Sequence, residues 1–118
     1  MIDRAARRAI IARLNDYFRF TGKDGWHFLS VEVSALPVPV KDEIVSAVRA
    51  FDDFVPAFDV MGEHDCGYLV IEGQEIVWKI TCYRRDHDKS LVPDPINPII
   101  TKRVMTIMSM EEYRDVAL

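Results

Sequence analysis

The sequence predicts an α+β fold of two layers: an antiparallel sheet built on a central β-hairpin, with two main helices, in the order α-β-α-β-β-β. Three observations lead there. The stretch from Asp65 to Asp86 reads as two strands joined by a tight turn. Two segments, one near the N-terminus and one after Pro37, carry apolar residues at the helical period. The remaining strand-like residues fall late in the chain, so strands follow strands and pair antiparallel.

The first helix is expected over residues 3–20, where Ala6, Ile10, Leu14, Tyr17 and Phe18 share a face and Gly22 follows as a left-handed cap. His27 to Val33 reads as a half-buried strand, because Leu29, Val31 and Val33 alternate with Ser30 and Glu32. Pro37 and Pro39 break that pattern and pre-set φ for a helix start. The second helix then runs from about Val38 to Phe51, with Val40, Ile44, Ala47, Val48 and Phe51 as its apolar stripe. Phe54 to Gly62 loses all periodicity and is a loop. His87 to Pro98 is a second loop, since Pro93, Pro95 and Pro98 admit neither a helix nor a central strand. Thr101 to Ser109 is β-branched and apolar enough for a third long strand, and Glu111 to Ala117 suits a short terminal helix.

The hairpin specifies its own register. Cys66–Ile71 and Gln74–Tyr83 flank Glu72-Gly73, a two-residue loop with Gly second, as a type I′ turn requires. Gly67 then faces Trp78, and Leu69 faces Ile76. One face carries Gly67, Leu69, Ile71, Ile76, Trp78, Ile80 and Cys82 and belongs in the core. The other, with Tyr68, Val70, Lys79 and Tyr83 among its residues, is mixed and partly wet. Gly67 leaves room for the Trp78 indole. Cys66 and Cys82 point to opposite faces, so they are expected as free thiols, which suits a reducing compartment.

At 118 residues the chain is expected to form a single domain, 1–118. It has no apolar run near the roughly 18–20 residues that cross a bilayer, and its charged, Arg-rich start does not resemble a signal peptide. A cytoplasmic protein is expected. The net charge of −4 is unevenly spread: residues 1–25 hold six cations against three anions, and residues 42–75 hold nine anions against Arg49 alone. The N-terminal arginines lack interleaved aromatic residues, so nucleic acid is not expected as a partner. No P-loop, GxGxxG, Ser-His-Asp or Cys-His arrangement is present, and no cofactor is implied.

Two polar groups could carry chemistry. Gly62-Glu63-His64-Asp65 enters the hairpin and Arg84-Arg85-Asp86-His87-Asp88 leaves it, so strand pairing should make them neighbours. His64, Asp65, Asp86 and His87 together could bind a divalent cation or act as an acid–base set. Asp52 and Asp53, between Phe51 and Phe54, form a second acidic point, and Asp59 lies between the two groups. The candidate binding residues are therefore Asp52, Asp53, Asp59, Glu63, His64, Asp65, Arg85 and Asp86.

Leu14-Asn15-Asp16, Ala35-Leu36-Pro37, Phe51-Asp52-Asp53-Phe54, Gly62-Glu63-His64-Asp65, Trp78-Lys79-Ile80, Arg85-Asp86, Pro93-Asp94-Pro95, Thr101 through Met108 and Glu112-Tyr113 give the chain a further likeness. It resembles a bacterial family of short proteins known as domain-of-unknown-function family 3768. The resemblance implies a setting on plasmids and other mobile elements of alphaproteobacteria, near anti-restriction-like genes. It implies no activity and no catalytic residues. The chain departs from the family pattern at Phe58-Asp59-Val60-Met61, where Met61 replaces an expected aromatic or His, and at Arg84, where an acid is usual. Both departures speak against a cation site.

The functional expectation is a small non-enzymatic binding protein, an accessory or anti-defence factor (anti-restriction or anti-CRISPR-like). It would dock through its acidic surface on a protein partner with a basic surface. The alternative is a metal-dependent hydrolase or nuclease using His64, Asp65, Asp86 and His87. No membrane partner is expected, and a homodimer through the mixed hairpin face or an open sheet edge is compatible with the sequence.

Overall fold

The computed structural model describes residues 2–117. Its elements are α1 (Arg4–Thr21), β1 (Gly25–Leu29), α2 (Val31–Ser34), α3 (Val38–Arg49), β2 (Cys66–Ile71), β3 (Gln74–Arg84), β4 (Thr101–Ser109) and α4 (Met110–Ala117). The four strands form one sheet in the order β1-β4-β3-β2. This is the expected α+β fold, but the hairpin forms one side of the sheet rather than its centre: β3 is an inner strand and β2 an edge, because β4 pairs with β3 and carries β1 beyond it.

The hairpin has the expected register: Gly67 opposes Trp78, Leu69 opposes Ile76, and Ile71 opposes Gln74. Glu72 and Gly73 both take positive φ, 50° and 75°, the pair that a type I′ turn demands. Gly67 is needed for space. A Cβ built there would lie 2.5 Å from Trp78 Nε1 and 2.7 Å from Phe51 Cε1, closer than side-chain atoms pack. Trp78 is fully buried, edge-on to both Phe51 and Phe54. Cys66 and Cys82 are both free.

Helices α1 and α3 cover one face of the sheet. Phe18, Ile44, Val48, Trp78, Met105 and Ile107 meet there as the main core. The stripe of α1 is rotated from the expected one. Ile11, Ala12, Asn15, Phe18 and Arg19 are buried, whereas Tyr17 is exposed and Ala6 lies at the surface. An apolar count places Asn15 and Arg19 outside; here both are buried because they are hydrogen-bonded. Asp3 caps α1 by accepting the Ala6 N–H (2.7 Å), and Gly22 ends it in the left-handed region.

Three further details differ from the sequence reading. The first strand is Gly25–Leu29, shifted back from His27–Val33, because Ser30 Oγ accepts the Val33 N–H (3.2 Å) and caps a turn of helix instead. That strand joins β4 in parallel, with Trp26 opposite Val104 and Phe28 opposite Thr106, so the sheet is mixed rather than wholly antiparallel. The long excursion through α3 and the hairpin supplies the crossover that parallel pairing needs. The mixed face of the hairpin is also partly closed: Cys66, Val77 and Met108 are buried under Phe58 and Tyr113.

A reciprocal cap holds α4 in place. The Glu112 N–H donates to Ser109 Oγ (3.1 Å), and the Ser109 N–H donates to Glu112 Oε1 (2.9 Å). The same carboxylate accepts the Ser30 hydroxyl at 2.5 Å, tying α4 to the end of β1. Among the described residues no helix is long and apolar enough to cross a membrane.

Replacing Gly67 by Ala drives a methyl into the Trp78 and Phe51 rings. Urea denaturation of Gly67→Ala should show a loss of about 1–3 kcal/mol with an unchanged m-value.

Candidate functional site

The polar residues under α1 form one continuous network. Its anchor is Arg19, 4% exposed. Its guanidinium lies over Trp78 (4.8 Å to the ring centroid) and Phe54 (5.3 Å). It donates to Asp16 Oδ1 (3.1 Å) and to the Phe51 carbonyl (3.0 Å), where the chain leaves α3. Burial pushes the Arg19 pKa down and Asp16 opposes that shift, so Arg19 remains a cation at neutral pH.

Asp16 is shared. Its two oxygens lie 3.0 and 2.9 Å from His64 Nδ1. The carboxylate fixes Nδ1 as the protonated nitrogen, because only an N–H can donate to it. The His64 ring lies flat on Phe54, with centroids 3.8 Å apart and planes 5° apart. Its backbone has positive φ (56°) and is held there by donation of its N–H to Asp59 Oδ1 (3.0 Å). A second branch starts at Asn15, which donates to the Glu63 carbonyl (2.9 Å) and accepts from Arg103 Nε (2.6 Å). Arg103 also donates to the Pro95 carbonyl at 2.6 Å. The Pro93–Pro98 loop is thereby docked, with Asp94 bonded to Thr101 and ion-paired to Arg7.

The expected cluster of His64, Asp65, Asp86 and His87 does not assemble. Cys66 pairs with Lys79, yet β3 continues to Arg84 because β4 pairs with it as far as Thr101. Five residues of overhang set the two ends about 16 Å apart along the strand. His64 turns instead to α1. Asp86 takes a double hydrogen bond from Arg84 (3.1 and 2.7 Å), which with the Asp88 N–H holds its pKa down to about 2. His87 sits exposed in the same turn. Among the described residues no three His, Cys, Asp or Glu side chains come close enough to hold a metal ion.

The other candidate residues divide by role. Asp59 is buried and structural. Glu63 and Asp65 are half-buried, and desolvation, reinforced by neighbouring carboxylates, pushes both pKa values up. Arg85 is exposed and donates to the Pro98 carbonyl (3.0 Å). Asp52 and Asp53 are exposed, as are Asp42, Glu43, Glu72 and Glu75. Burial pushes the Cys66 thiol up to about 11, which leaves it an unreactive thiol at neutral pH. Of the residues expected to carry chemistry, only His87 lines either of two surface hollows, of about 430 and about 240 Å³: Phe20, Asp42 and Arg49 wall one, and Tyr83, His87 and Leu91 the other.

The network can hold a proton at His64 Nδ1 and orient the ring. No hydroxyl or thiol hydrogen-bonds to His64 among the described residues, so it lacks the nucleophile that an acyl-transfer dyad activates. Asn15, Asp16 and Arg19 were not among the candidates drawn from the sequence. Their signal was a polar run at i, i+1 and i+4 on a helix face that is otherwise apolar.

Two stability measurements follow from this network. Arg19→Ala should cost about 3 kcal/mol, through lost packing on Trp78 and Phe54 and an unpaired Phe51 carbonyl, whereas Asp16→Asn should cost about 1–2 kcal/mol; urea unfolding at neutral pH reads both. Burial holds the Asp65 pKa above its ordinary carboxylate value, so its ionisation costs stability as pH rises past the ordinary carboxylate range. Asp65→Asn should therefore raise Tm at neutral pH, and the gain should shrink as pH falls towards the ordinary carboxylate range.

No curated protein and no solved structure matches the chain. A family model does, over residues 29–112, which takes in the His64 and Arg103 sides of the network but not the α1 side. On that match, covering well over half of the 118 residues, the chain belongs to the family described as Protein of unknown function (DUF3768).

Proposed function

We infer that the protein acts by docking rather than by catalysis, as a small cytoplasmic binding protein whose partner presents a basic surface. One observation carries this reading. The exposed carboxylates of residues 42–75 are unneutralised: Asp42, Glu43, Asp52, Asp53, Glu72 and Glu75 are all at the surface, and no salt bridge among the described residues uses any of them. The ion pairs that do form involve Asp16, Asp86 and Asp94. Excess negative charge of this kind speeds encounter with a basic surface and can cover a nucleic-acid groove on a partner. The residues best suited to catalysis are meanwhile engaged in structural bonds, His64 on Asp16 and Asp86 on Arg84. A role as an accessory or anti-defence factor of a mobile element fits a docking protein of this size and charge.

The test is a charge reversal. The double variant Asp52→Lys/Asp53→Lys should keep its circular dichroism, bind a partner identified by cross-linking at least tenfold more weakly, and flatten the salt dependence of binding. A partner held equally well by that variant and by Asp42→Lys/Glu43→Lys removes the acidic surface as the docking site. Measurable turnover of a phosphodiester or peptide substrate, lost in His64→Ala, removes the non-enzymatic reading.

A further inference from the structure

The sheet face opposite α1 and α3 is closed at one end only. Phe58 and Tyr113 cover it over Cys66, Val77 and Met108. At the other end, Trp26 and Phe28 of β1 stand 57% and 51% exposed, and Tyr83 of β3 stands 51% exposed. By register, Trp26 shares a row with Val104 and Thr81, Phe28 shares one with Thr106 and Lys79, and Tyr83 opposes Lys102. The strands here contribute three aromatic rings and two lysines to this face and no carboxylate. The outward-facing acid of the strands, Glu75, is at the hairpin tip. Neither lysine is ion-paired among the described residues, although Asp65 lies near Lys79.

We propose that this open face binds single-stranded nucleic acid, with bases stacking on Trp26, Phe28 and Tyr83 and the backbone lying along Lys79 and Lys102. The Trp26 and Phe28 rings are nearly parallel, 15° between planes, with centroids 6.5 Å apart. The pair thus presents two similarly oriented rings, one residue-pair apart along the strand, on which bases can stack. Strand spacing sets Tyr83 about 12 Å from Trp26, a span for two or three bases, as on other four-stranded sheet platforms. Stacking explains why large apolar rings stand in water on a rigid sheet, and the lysines match the charge of the phosphates. Helix α3, with its exposed acids, packs on the far side of the sheet. The proposal concerns a different surface from the acidic one and stands or falls separately.

Trp26 is the reporter, because the second tryptophan, Trp78, is fully buried. Titration of the intact protein with single-stranded oligo-dT and oligo-rU of about 12 nucleotides, in about 50 mM salt, should quench Trp26 emission to saturation. Comparison of the two oligomers tells which sugar the face accepts. Anisotropy of labelled oligomer should show affinity falling about tenfold or more in Trp26→Ala and in Phe28→Ala, and largely kept in Trp26→Phe. Lys79→Glu/Lys102→Glu should weaken binding and lower the salt slope by about two. Buried Trp78 emission reports that each variant is folded. Absence of quenching with either oligomer, equal binding of duplex DNA, or affinity unchanged in Trp26→Ala overturns the proposal. So does sedimentation showing a dimer that Trp26→Ala and Phe28→Ala dissolve, since a second copy would then cover the face.

Discussion

The Arg19 guanidinium joins α1 to the sheet and to the segment that follows α3. It leaves α1, lies on Trp78 of the sheet and on Phe54, and closes on the Phe51 carbonyl just past α3. A buried cation is costly unless every side of it is occupied. Here two aromatic faces, one carboxylate and one carbonyl share that task, and Nε is left without a hydrogen-bond partner among the described residues. Each partner is thereby placed: Asp16 is turned towards His64, and Phe54 is held flat beneath the His64 ring. The loop from Phe54 to Asp65 lacks regular structure, and this ring of contacts gives it one conformation.

Trp78 completes the arrangement from below. It fits because Gly67 leaves the opposite strand without a side chain, and it presents its face to Arg19 and its edges to Phe51 and Phe54. The tight turn at Glu72-Gly73 sets the register that makes this pairing. A local feature of four residues and a buried charge contributed by a distant helix therefore meet at one indole.

Burial of its polar groups also divides the surface. Asn15, Arg19, Asp59 and Arg103 are withdrawn from solvent, while Asp16 and His64 stay partly exposed but are engaged with each other. What remains outside is sorted by layer: unpaired carboxylates on α3 and the segment after it, aromatic rings and lysines on the open end of the sheet. The separation follows from the architecture, since strands expose alternate residues and one half of the outer face is closed by Phe58 and Tyr113. It gives a small molecule two chemically different sides.

The hairpin, its turn, the span of β4 and the stripe of α3 were all legible in the sequence, because each depends on neighbours within a few residues: alternation, a Gly in the second turn position, apolar spacing at 3.6. Gly67 was legible too, since the register alone puts it opposite Trp78. The site was not. The reading that joined His64 to Asp86 assumed strands of equal reach, and only pairing with β4 extends β3 past the end of β2. The parallel attachment of β1 and the inward turn of Asn15 and Arg19 likewise depend on partners distant in sequence, 32 residues away for Phe51 on Arg19 and 88 for Arg103 on Asn15. Periodicity ranks a polar residue as exposed, and only the packed structure can show that its hydrogen bonds are met inside. Local propensity thus determined the elements, and desolvation of charge, which has meaning only once the layers have closed, decided where the polar residues went.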